Sequence, residues 1–327
     1  MADWNAQNSD PKTRKLMQGF PPPPDLVVRS DNGISGASFP NTRWAFSHQR
    51  ELKSTACIRR GSAQPHVFPK KLRKDIDAIA FTTMDGENMT FAQSLDAMFT
   101  DGIVILHRGT IVYETYRGAL EPHLPHIAFS ISKSFVGLMA AVLAHEGKID
   151  PNAPVSRYLP ELASTAFGDA TVRNVMDMTV GVKYSENYSD PKAEVFDYAR
   201  AGGMMPLPQG YDGPRSFYDF LIKLQKEGNH GDAFAYKTSN AEVLAWIVKR
   251  ASNQSLAALL SSEIWSKLGA EQDGYFMVDS VGTESGGGGY NTVLRDLARF
   301  GEMMRNGGVF NGQQIVPAAV VADIAGG

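Results

Sequence analysis

Apolar residues recur at helical spacing in several segments of the 327-residue chain. The strongest pattern covers residues 128–146, in which Phe135, Leu138 and Val142 fall on one face and Gly147 follows as a typical C-terminal residue. This segment is predicted to be a buried helix. The same spacing predicts further helices over residues 89–99, 171–180, 216–225, 239–250, 256–268, 293–306 and 317–324.

Runs of β-branched and aromatic residues predict strands. Segments 102–109 and 110–118 meet at Arg108-Gly109, which predicts a β-hairpin, and residues 275–278 predict a later strand. Residues 184–213 have a loop-rich composition. The glycine run 286–289 lacks the Gly-x-Gly-x-x-Gly spacing of a dinucleotide loop, so backbone room near a site or simple flexibility explains it better.

The order of these elements predicts an α+β fold. A strand pair comes early, helices fill the middle and a strand returns late, which indicates an antiparallel sheet flanked by helices, with an inserted all-helical domain. We expect residues 76–150 and 255–327 to form the sheet-plus-helix domain, and residues 151–254 to form the mainly helical insertion. Residues 1–75 are predicted to be an irregular N-terminal extension, because the prolines at 21–24 exclude a helix or a central strand there.

Composition and charge exclude several classes of protein. The 32 basic and 35 acidic residues give a net charge of −3, so no global charge draws the chain to nucleic acid or to an anionic membrane. Cys57 is the single cysteine, which excludes an intrachain disulfide. The polar N-terminus lacks the pattern of a signal peptide, and the most apolar run, 135–144, is about half of the roughly 20 residues that a membrane span needs. The expected localisation is cytoplasmic.

Ser130 and Lys133 form the most informative motif, a Ser-x-x-Lys at the start of the most apolar predicted helix. Residues i and i+3 share a helix face, so the hydroxyl and the amine would lie within reach of each other. The free N–H groups at a helix start suit an oxyanion, and burial lowers the pKa of a lysine toward the range of a general base. Alternatively, Ser130 is only a helix cap and Lys133 a solvated side chain. Two other pairs have this spacing but contain a proline, which disfavours a regular helical turn: Ser9/Lys12 and Ser189/Lys192.

Tyr236 and the polar residues after it form a second motif, just before a predicted helix. A tyrosine hydroxyl beside a cationic amine can relay a proton to a leaving group, and Thr238 or Asn240 can supply a donor to a substrate. The alternative is a core tyrosine followed by an ordinary helix cap. No phosphate loop, Gly-x-Ser-x-Gly elbow or His-Glu-x-x-His site accompanies these motifs, and no cofactor or metal is implied.

Together the two motifs resemble those of the superfamily of serine β-lactamases, penicillin-binding proteins and family VIII esterases. Within it, the chain looks closest to the 6-aminohexanoate-dimer hydrolases, and the similarity runs over about residues 41–325. The segments that carry the resemblance are 41–46, 126–135, 146–155, 171–179, 187–191, 243–248 and 294–301. The resemblance implies a β-lactamase/transpeptidase-like fold.

The resemblance also implies a role for each matching residue. Ser130 would be the nucleophile, Lys133 its general base and Tyr236 the proton relay to the leaving group. Tyr188 resembles the loop tyrosine that hydrogen-bonds the substrate amide, and the Ser130 N–H would be one oxyanion donor. The reaction would pass through an acyl-serine that water then hydrolyses. The expected partner is a small ester or amide, and a homodimer is suggested by the resemblance alone.

Two departures from the family pattern shape this expectation. Ala199 stands where amidases of this group are expected to carry an acidic residue for the ammonium group of the substrate, although Asp197 is close by, and this favours esters. The chain also ends before the strand expected to carry a Lys/His-x-Gly motif and the second oxyanion donor, so the C-terminal strands of the sheet are expected to be missing. Two alternatives remain: a β-lactamase or D-Ala-D-Ala peptidase-like activity, and a truncated, inactive binding homologue.

Overall fold

The computed structural model describes residues 3–29 and 34–326. The helices, in chain order, are α1 (Thr42–Ala45), α2 (Gln49–Leu52), α3 (Phe91–Ala97), α4 (Ile131–His145), α5 (Val155–Tyr158), α6 (Val172–Met176), α7 (Glu194–Ala201), α8 (Phe217–Leu221), α9 (Thr238–Ser252), α10 (Leu256–Leu260), α11 (Leu294–Arg305) and α12 (Ala318–Gly326). A π-helical turn, Ser261–Trp265, follows α10, and short 3₁₀ turns lie at Pro24–Leu26, Lys74–Ala78 and Pro160–Leu162.

The strands, in chain order, are β1 (Val28–Arg29), β2 (Ile34–Ser35), β3 (Thr55–Ile58), β4 (Ala80–Thr82), β5 (Asn88–Thr90), β6 (Gly102–His107), β7 (Thr110–Tyr116), β8 (His126–Ile127), β9 (Gly274–Met277), β10 (Tyr290–Thr292), β11 (Val309–Phe310) and β12 (Gln313–Gln314). Helices and antiparallel strands therefore both contribute, and the predicted α+β class is confirmed.

The main sheet has the order β3-β9-β10-β8, and all its neighbouring strands are antiparallel. Tyr290 on β10 is opposite Phe276 on β9, and Asn291 is opposite Ile127 on β8. The backbone N–H of Ala128 also donates to the Tyr290 carbonyl oxygen at 2.8 Å. Because β8 leads within a few residues into α4, this pairing fixes where α4 begins.

The predicted hairpin is confirmed as the pair β6–β7, with His107 opposite Thr110. The two residues between them, Arg108 and Gly109, have φ angles of +50° and +75°. Positive φ at both central positions gives a turn whose twist matches that of the flanking strands. The Arg108-Gly109 junction predicted from the sequence therefore forms the two-residue turn of the hairpin.

Helices α4 and α9 pack side by side in the largest hydrophobic core. Phe135 on α4 is fully buried, and its ring centroid lies 4.1 Å from that of Phe300 and 4.3 Å from that of Tyr290. The ring centroid of Trp265 lies 6.2 Å from that of Phe135. These contacts clamp α4 between α11 and the main sheet.

The structure corrects the sequence interpretation in three places. Residues 1–75 are not irregular throughout, because β3 (55–58) forms an edge of the main sheet. Helix α7 lies within the loop-rich segment 184–213, and β10 follows directly after the glycine run. Strands β3 and β10 are too short to show a clear alternation, and they are defined by pairing with distant strands: β3 with β9, and β10 with β9 and β8.

The other predicted helices all occur near their predicted positions. The division into an extension, a sheet-plus-helix domain and a helical insertion stays a prediction, and residues 1–2, 30–33 and 327 lie outside the described residues. Within the described part of the chain, each helix is too short or too polar to cross a bilayer.

Replacing Phe135 with alanine is expected to lower the free energy of unfolding by about 3–5 kcal/mol, because it leaves a cavity between three aromatic rings. Urea denaturation followed by circular dichroism measures this loss. The matched control is Phe81→Ala, which removes a phenylalanine that is 41% exposed on β4 and should change stability far less. Equal losses in the two variants would show that the ring cluster is not the centre of the core.

Candidate active site

Ser130 lies at an exposed bend between β8 and α4. The preceding residue, Phe129, has a φ of +44°, in the left-handed region that a side chain with a Cβ rarely adopts. Ser130 itself is in the right-handed helical region, and its hydroxyl makes no cap hydrogen bond to the helix. The hydroxyl is therefore free of the capping role that would have explained the residue structurally. Within the described residues, no group accepts a hydrogen bond from the Ser130 backbone N–H.

Lys133 is directly beside this hydroxyl. Its Nζ lies 3.0 Å from Ser130 Oγ and donates to the carbonyl oxygen of Gly287 at 2.6 Å. The Nζ also lies 5.1 Å from the ring centroid of Tyr236. Among the described residues, no carboxylate oxygen comes within 4.0 Å of the amine. The i, i+3 spacing thus brings Ser130 and Lys133 together, and Tyr236 joins them from α9's N-terminal side.

Ser132 links the bend to the main sheet. It is fully buried, its Oγ donates to the Phe129 carbonyl oxygen at 2.5 Å, and the same Oγ accepts from the Tyr290 N–H at 2.9 Å. One hydroxyl therefore ties the strained residue before the nucleophile to β10. The sequence interpretation did not single out this residue.

Tyr236 lies on a segment that is fastened at both ends. The Ala235 N–H donates to the Met178 carbonyl oxygen at 2.9 Å, and Lys237 Nζ donates to the Val182 carbonyl oxygen. The Tyr236 side chain stays 46% exposed, so its hydroxyl is open to a bound molecule. Because the backbone on each side is fixed, the ring is held over the lysine amine.

Tyr188 lies on the adjoining loop and is 70% exposed. Its hydroxyl donates to Glu186 Oε2 at 3.4 Å, while Glu186 Oε1 accepts from the Thr238 N–H at the start of α9. Partial desolvation of this largely exposed side chain and the neighbouring Glu186 carboxylate raise the pKa of Tyr188, so the hydroxyl remains a donor at neutral pH. Glu186 thus joins the Tyr188 loop to the segment of Tyr236, a link that the sequence interpretation missed.

Thr238 and Asn240 are buried, unlike Tyr188 and Tyr236. Thr238 is 6% exposed and Asn240 is fully buried. Asn240 Nδ2 donates to the Lys237 carbonyl oxygen at 3.3 Å, within the first turn of α9. This turn faces the protein interior, so Asn240 is not placed to donate to a substrate, contrary to the prediction from the motif.

The glycine run 286–289 lies against the first turns of α9. A Cβ atom on Gly287 would lie 2.4 Å from Thr238 Cγ2, and one on Gly286 would lie 2.5 Å from Ala245 Cβ. Only glycine allows so close an approach. Of the two explanations drawn from the sequence, backbone room beside the site is therefore the one that the geometry supports.

Glu242 is a further buried group that the sequence interpretation missed. Its carboxylate accepts hydrogen bonds from the Gly286 and Gly287 N–H groups and from Ser285 and Tyr198. Burial raises the pKa of Glu242, while the bonds from Tyr198 and the two glycines act in the opposite direction. The only sequence signal was an acidic residue on an otherwise apolar face of the predicted helix.

The position matched to the family's acidic residue holds no free carboxylate. Ala199 lies on α7, and the nearby Asp197 Oδ1 accepts from Arg200 Nη1 at 2.9 Å. The carboxylate of Asp197, the acidic residue noted close to position 199, is therefore paired with a neighbouring side chain on the same helix. A cavity of about 250 Å³ lies beside the bend, with Phe46, Leu52, Ile127, Phe129, Met204 and Met277 among its lining residues.

Three comparisons place this geometry among known proteins. The β-lactamase family profile matches residues 90–322. The 6-aminohexanoate-dimer hydrolase of Paenarthrobacter ureafaciens is 36% identical over 288 residues, which cover 88% of this chain and 71% of the relative. A solved structure from Bacillus anthracis, provisionally named a 6-aminohexanoate-dimer hydrolase, is 33% identical with a TM-score of 0.84, and the match covers 91% of this chain and 76% of that one.

A more distant match concerns the fold alone. The penicillin-binding protein from Bacillus halodurans is 12% identical, with a TM-score of 0.53, and the match covers 68% of this chain and 74% of that one. The β-lactamase/transpeptidase-like fold expected from the resemblance is confirmed by these matches taken together.

Replacing Ser132 with alanine is expected to cost about 1–3 kcal/mol of stability, because the buried Tyr290 N–H loses its acceptor. Chemical denaturation measures the loss. Ser134, an exposed serine on the same helix, provides the control variant Ser134→Ala, which should be nearly neutral. If both variants were equally stable, the Ser132 bridge would have no energetic role.

Proposed function

Because the chain belongs to the β-lactamase family and is a serine hydrolase homologous to 6-aminohexanoate-dimer hydrolases, we propose that it cleaves small carboxylic esters or amides through an acyl-serine intermediate. In this proposal Ser130 is the nucleophile, Lys133 the general base and Tyr236 the proton relay. The observation that carries the proposal is the 3.0 Å contact between Lys133 Nζ and Ser130 Oγ. An exposed hydroxyl next to an amine with no carboxylate partner is the arrangement that nucleophilic catalysis requires.

Acylation begins when Ser130 Oγ attacks the substrate carbonyl carbon and its proton passes to Lys133 Nζ. The carbonyl oxygen becomes an oxyanion, and one donor to it is the Ser130 N–H, which has no acceptor among the described residues. The C–O or C–N bond to the leaving group then breaks, and the leaving group takes a proton through Tyr236. The Tyr236 ring centroid lies 5.1 Å from Lys133 Nζ, which places the tyrosine beside the base from which the proton comes.

Deacylation repeats these steps with water as the nucleophile. Water attacks the acyl carbonyl, its proton passes to Lys133, and the bond between the carbonyl carbon and Ser130 Oγ breaks as Oγ regains a proton. The products are a carboxylic acid and the free enzyme. The same base therefore serves both half-reactions.

The surroundings of the nucleophile suggest which substrates fit. Tyr188 presents an exposed hydroxyl that remains protonated, which suits a hydrogen bond to a substrate carbonyl. The cavity of about 250 Å³ beside Phe129 has a largely apolar lining and would hold a short alkyl chain. Asp197 is engaged with Arg200, so α7 offers no free carboxylate to a substrate ammonium near position 199, and esters are the favoured class. A homodimer stays a prediction.

Ser130→Ala is expected to abolish hydrolysis of p-nitrophenyl acetate and butyrate, and Lys133→Ala to lower it by about 10²–10⁴-fold, because the general base is lost. The control is Ser134→Ala, which should keep full activity. Turnover that persists in folded Ser130→Ala would contradict the proposal.

A second readout locates the covalent step. A fluorophosphonate probe should label the wild-type chain once, and mass spectrometry should find the adduct on the peptide that contains Ser130. No labelling of folded wild-type protein would favour a non-catalytic binding homologue, whereas rapid turnover of a penicillin in place of the esters would favour a β-lactamase.

Tyr188→Phe is expected to lower kcat/KM by about 2–10-fold, the effect of one lost hydrogen bond to the substrate. The loss should appear for an ester and for the matching anilide. The control is Tyr158→Phe, which removes a hydroxyl from α5 that bonds the Asp150 N–H and is not part of the candidate site. If Tyr188→Phe left kcat/KM unchanged for both substrates, Tyr188 would not contact the reacting group.

A further inference from the structure

Glu242 is a buried carboxylate that the mechanism above does not use. It is 3% exposed and lies on α9, six residues after Tyr236. A carboxylate in such surroundings destabilises the fold unless hydrogen-bond donors surround it. Four hydrogen-bond donors among the described residues lie within 3.1 Å of the carboxylate oxygens, so the fold provides specific partners for this buried group.

The donors belong to Ser285, to the first two residues of the glycine run and to Tyr198 on α7. Oε2 accepts from the Gly286 N–H at 3.0 Å, and Oε1 accepts from the Gly287 N–H at 2.8 Å. Oε1 also accepts from Ser285 Oγ at 3.1 Å and from the Tyr198 hydroxyl at 2.7 Å. The carboxylate therefore fixes three consecutive residues, 285–287, and ties them to the helix that follows the Tyr188 loop.

Gly287 connects this carboxylate to the nucleophile. Its N–H faces Glu242, and its carbonyl oxygen accepts from Lys133 Nζ at 2.6 Å. Lys133 Nζ in turn lies 3.0 Å from Ser130 Oγ. A continuous path of short polar contacts thus runs from Glu242 through a single glycine to the proposed base.

The loop packs closely against α9 at Gly286 and Gly287. The Cβ sites of Gly286 and Gly287 are already filled by α9 side chains, so the backbone rests directly on the helix. Without an anionic acceptor, two buried N–H groups would lose their partners, at a cost that favours turning the loop outward to water. An outward turn would carry the Gly287 carbonyl away from the lysine.

We propose that Glu242 is a positioning residue for the general base. It holds the Gly287 carbonyl where that oxygen aims Lys133 Nζ at Ser130 Oγ, and it makes no contact with substrate itself. This inference rests on the proposed function, since it assumes that Lys133 acts as the base.

Glu242→Gln tests the inference with little change in shape. One oxygen remains an acceptor, but the new amide NH₂ group would face a backbone N–H, which is repulsive. Misplacing the reacting amine is expected to lower kcat for p-nitrophenyl butyrate by about 10²-fold, while KM changes less than about twofold. The control is Glu284→Gln, another buried glutamate, whose side chain bonds Lys249 and the Ala257 N–H and not the N–H groups of Gly286 and Gly287. Glu284→Gln is expected to keep the wild-type kcat once corrected for folded protein.

Two further measurements separate positioning from a general structural role. In a Lys133→Ala background, Glu242→Gln should cause almost no additional loss in the rate of fluorophosphonate labelling, because the residue acts through the lysine. Full additivity of the two substitutions would overturn the proposal. So would a Glu242→Gln variant that keeps its kcat.

Hydrogen exchange gives a readout that does not depend on activity. Amides in peptides covering 285–289 should exchange faster in Glu242→Gln than in wild type, and those peptides should be unchanged in Glu284→Gln. Unchanged exchange in Glu242→Gln would refute the positioning role even if the wild-type enzyme were inactive. A wild type that is not labelled at Ser130 would instead refute the proposed function, so the two failures can be told apart.

If Glu242→Gln does not fold, Tyr198→Phe provides a milder test. It removes one of the four hydrogen bonds to Glu242 and leaves the carboxylate in place. A smaller loss of kcat, with KM retained and exchange at 285–289 raised, is expected. Wild-type kcat together with wild-type exchange would count against the proposal.

Discussion

The 3.0 Å contact between Lys133 Nζ and Ser130 Oγ is the interaction on which the site depends. Helical geometry supplies only part of it, because an i, i+3 pair lies within reach without being aimed. The long lysine side chain has many rotamers, and a single acceptor selects one of them. That acceptor is the carbonyl of Gly287, more than 150 residues along the chain. The local motif therefore works only inside the completed fold.

Burial of α4 supplies the rigid base for this pair. Phe135 is enclosed by Phe300, Tyr290 and Trp265, so the helix cannot rotate about its axis. At the N-terminal end, Ser132 ties the Phe129 carbonyl to β10 and holds the left-handed bend. The cost of that backbone conformation, about 1–3 kcal/mol, is offset by the packing around it. This bend leaves Ser130 exposed at the protein surface.

Features that depend on neighbouring residues could be predicted from the sequence, whereas features that depend on contacts between distant segments could not. The buried helix α4, the hairpin turn at Arg108-Gly109 and the Ser130/Lys133 pair are encoded by neighbouring residues, and periodicity or spacing revealed them. Strand β3 exists because β9 pairs with it, and nothing in residues 55–58 specifies that partner. The same reason explains why Glu186 and Glu242 were missed and why the burial of Asn240 could not be foreseen. Each depends on which way α9 faces, and that is decided by packing against distant segments.

The glycine run has a consequence for the thermodynamics of substrate binding. Consecutive glycines would be expected to form a loop with high conformational entropy, yet Gly286 and Gly287 are pressed against α9 and donate to a buried carboxylate. Their entropy is lost once, when the chain folds, and not each time a ligand arrives. A substrate therefore meets a site wall that is already ordered. Substrate binding therefore carries no entropy cost for ordering these glycines. The temperature dependence of KM should reflect changes in the ligand and its hydration more than changes in the protein backbone.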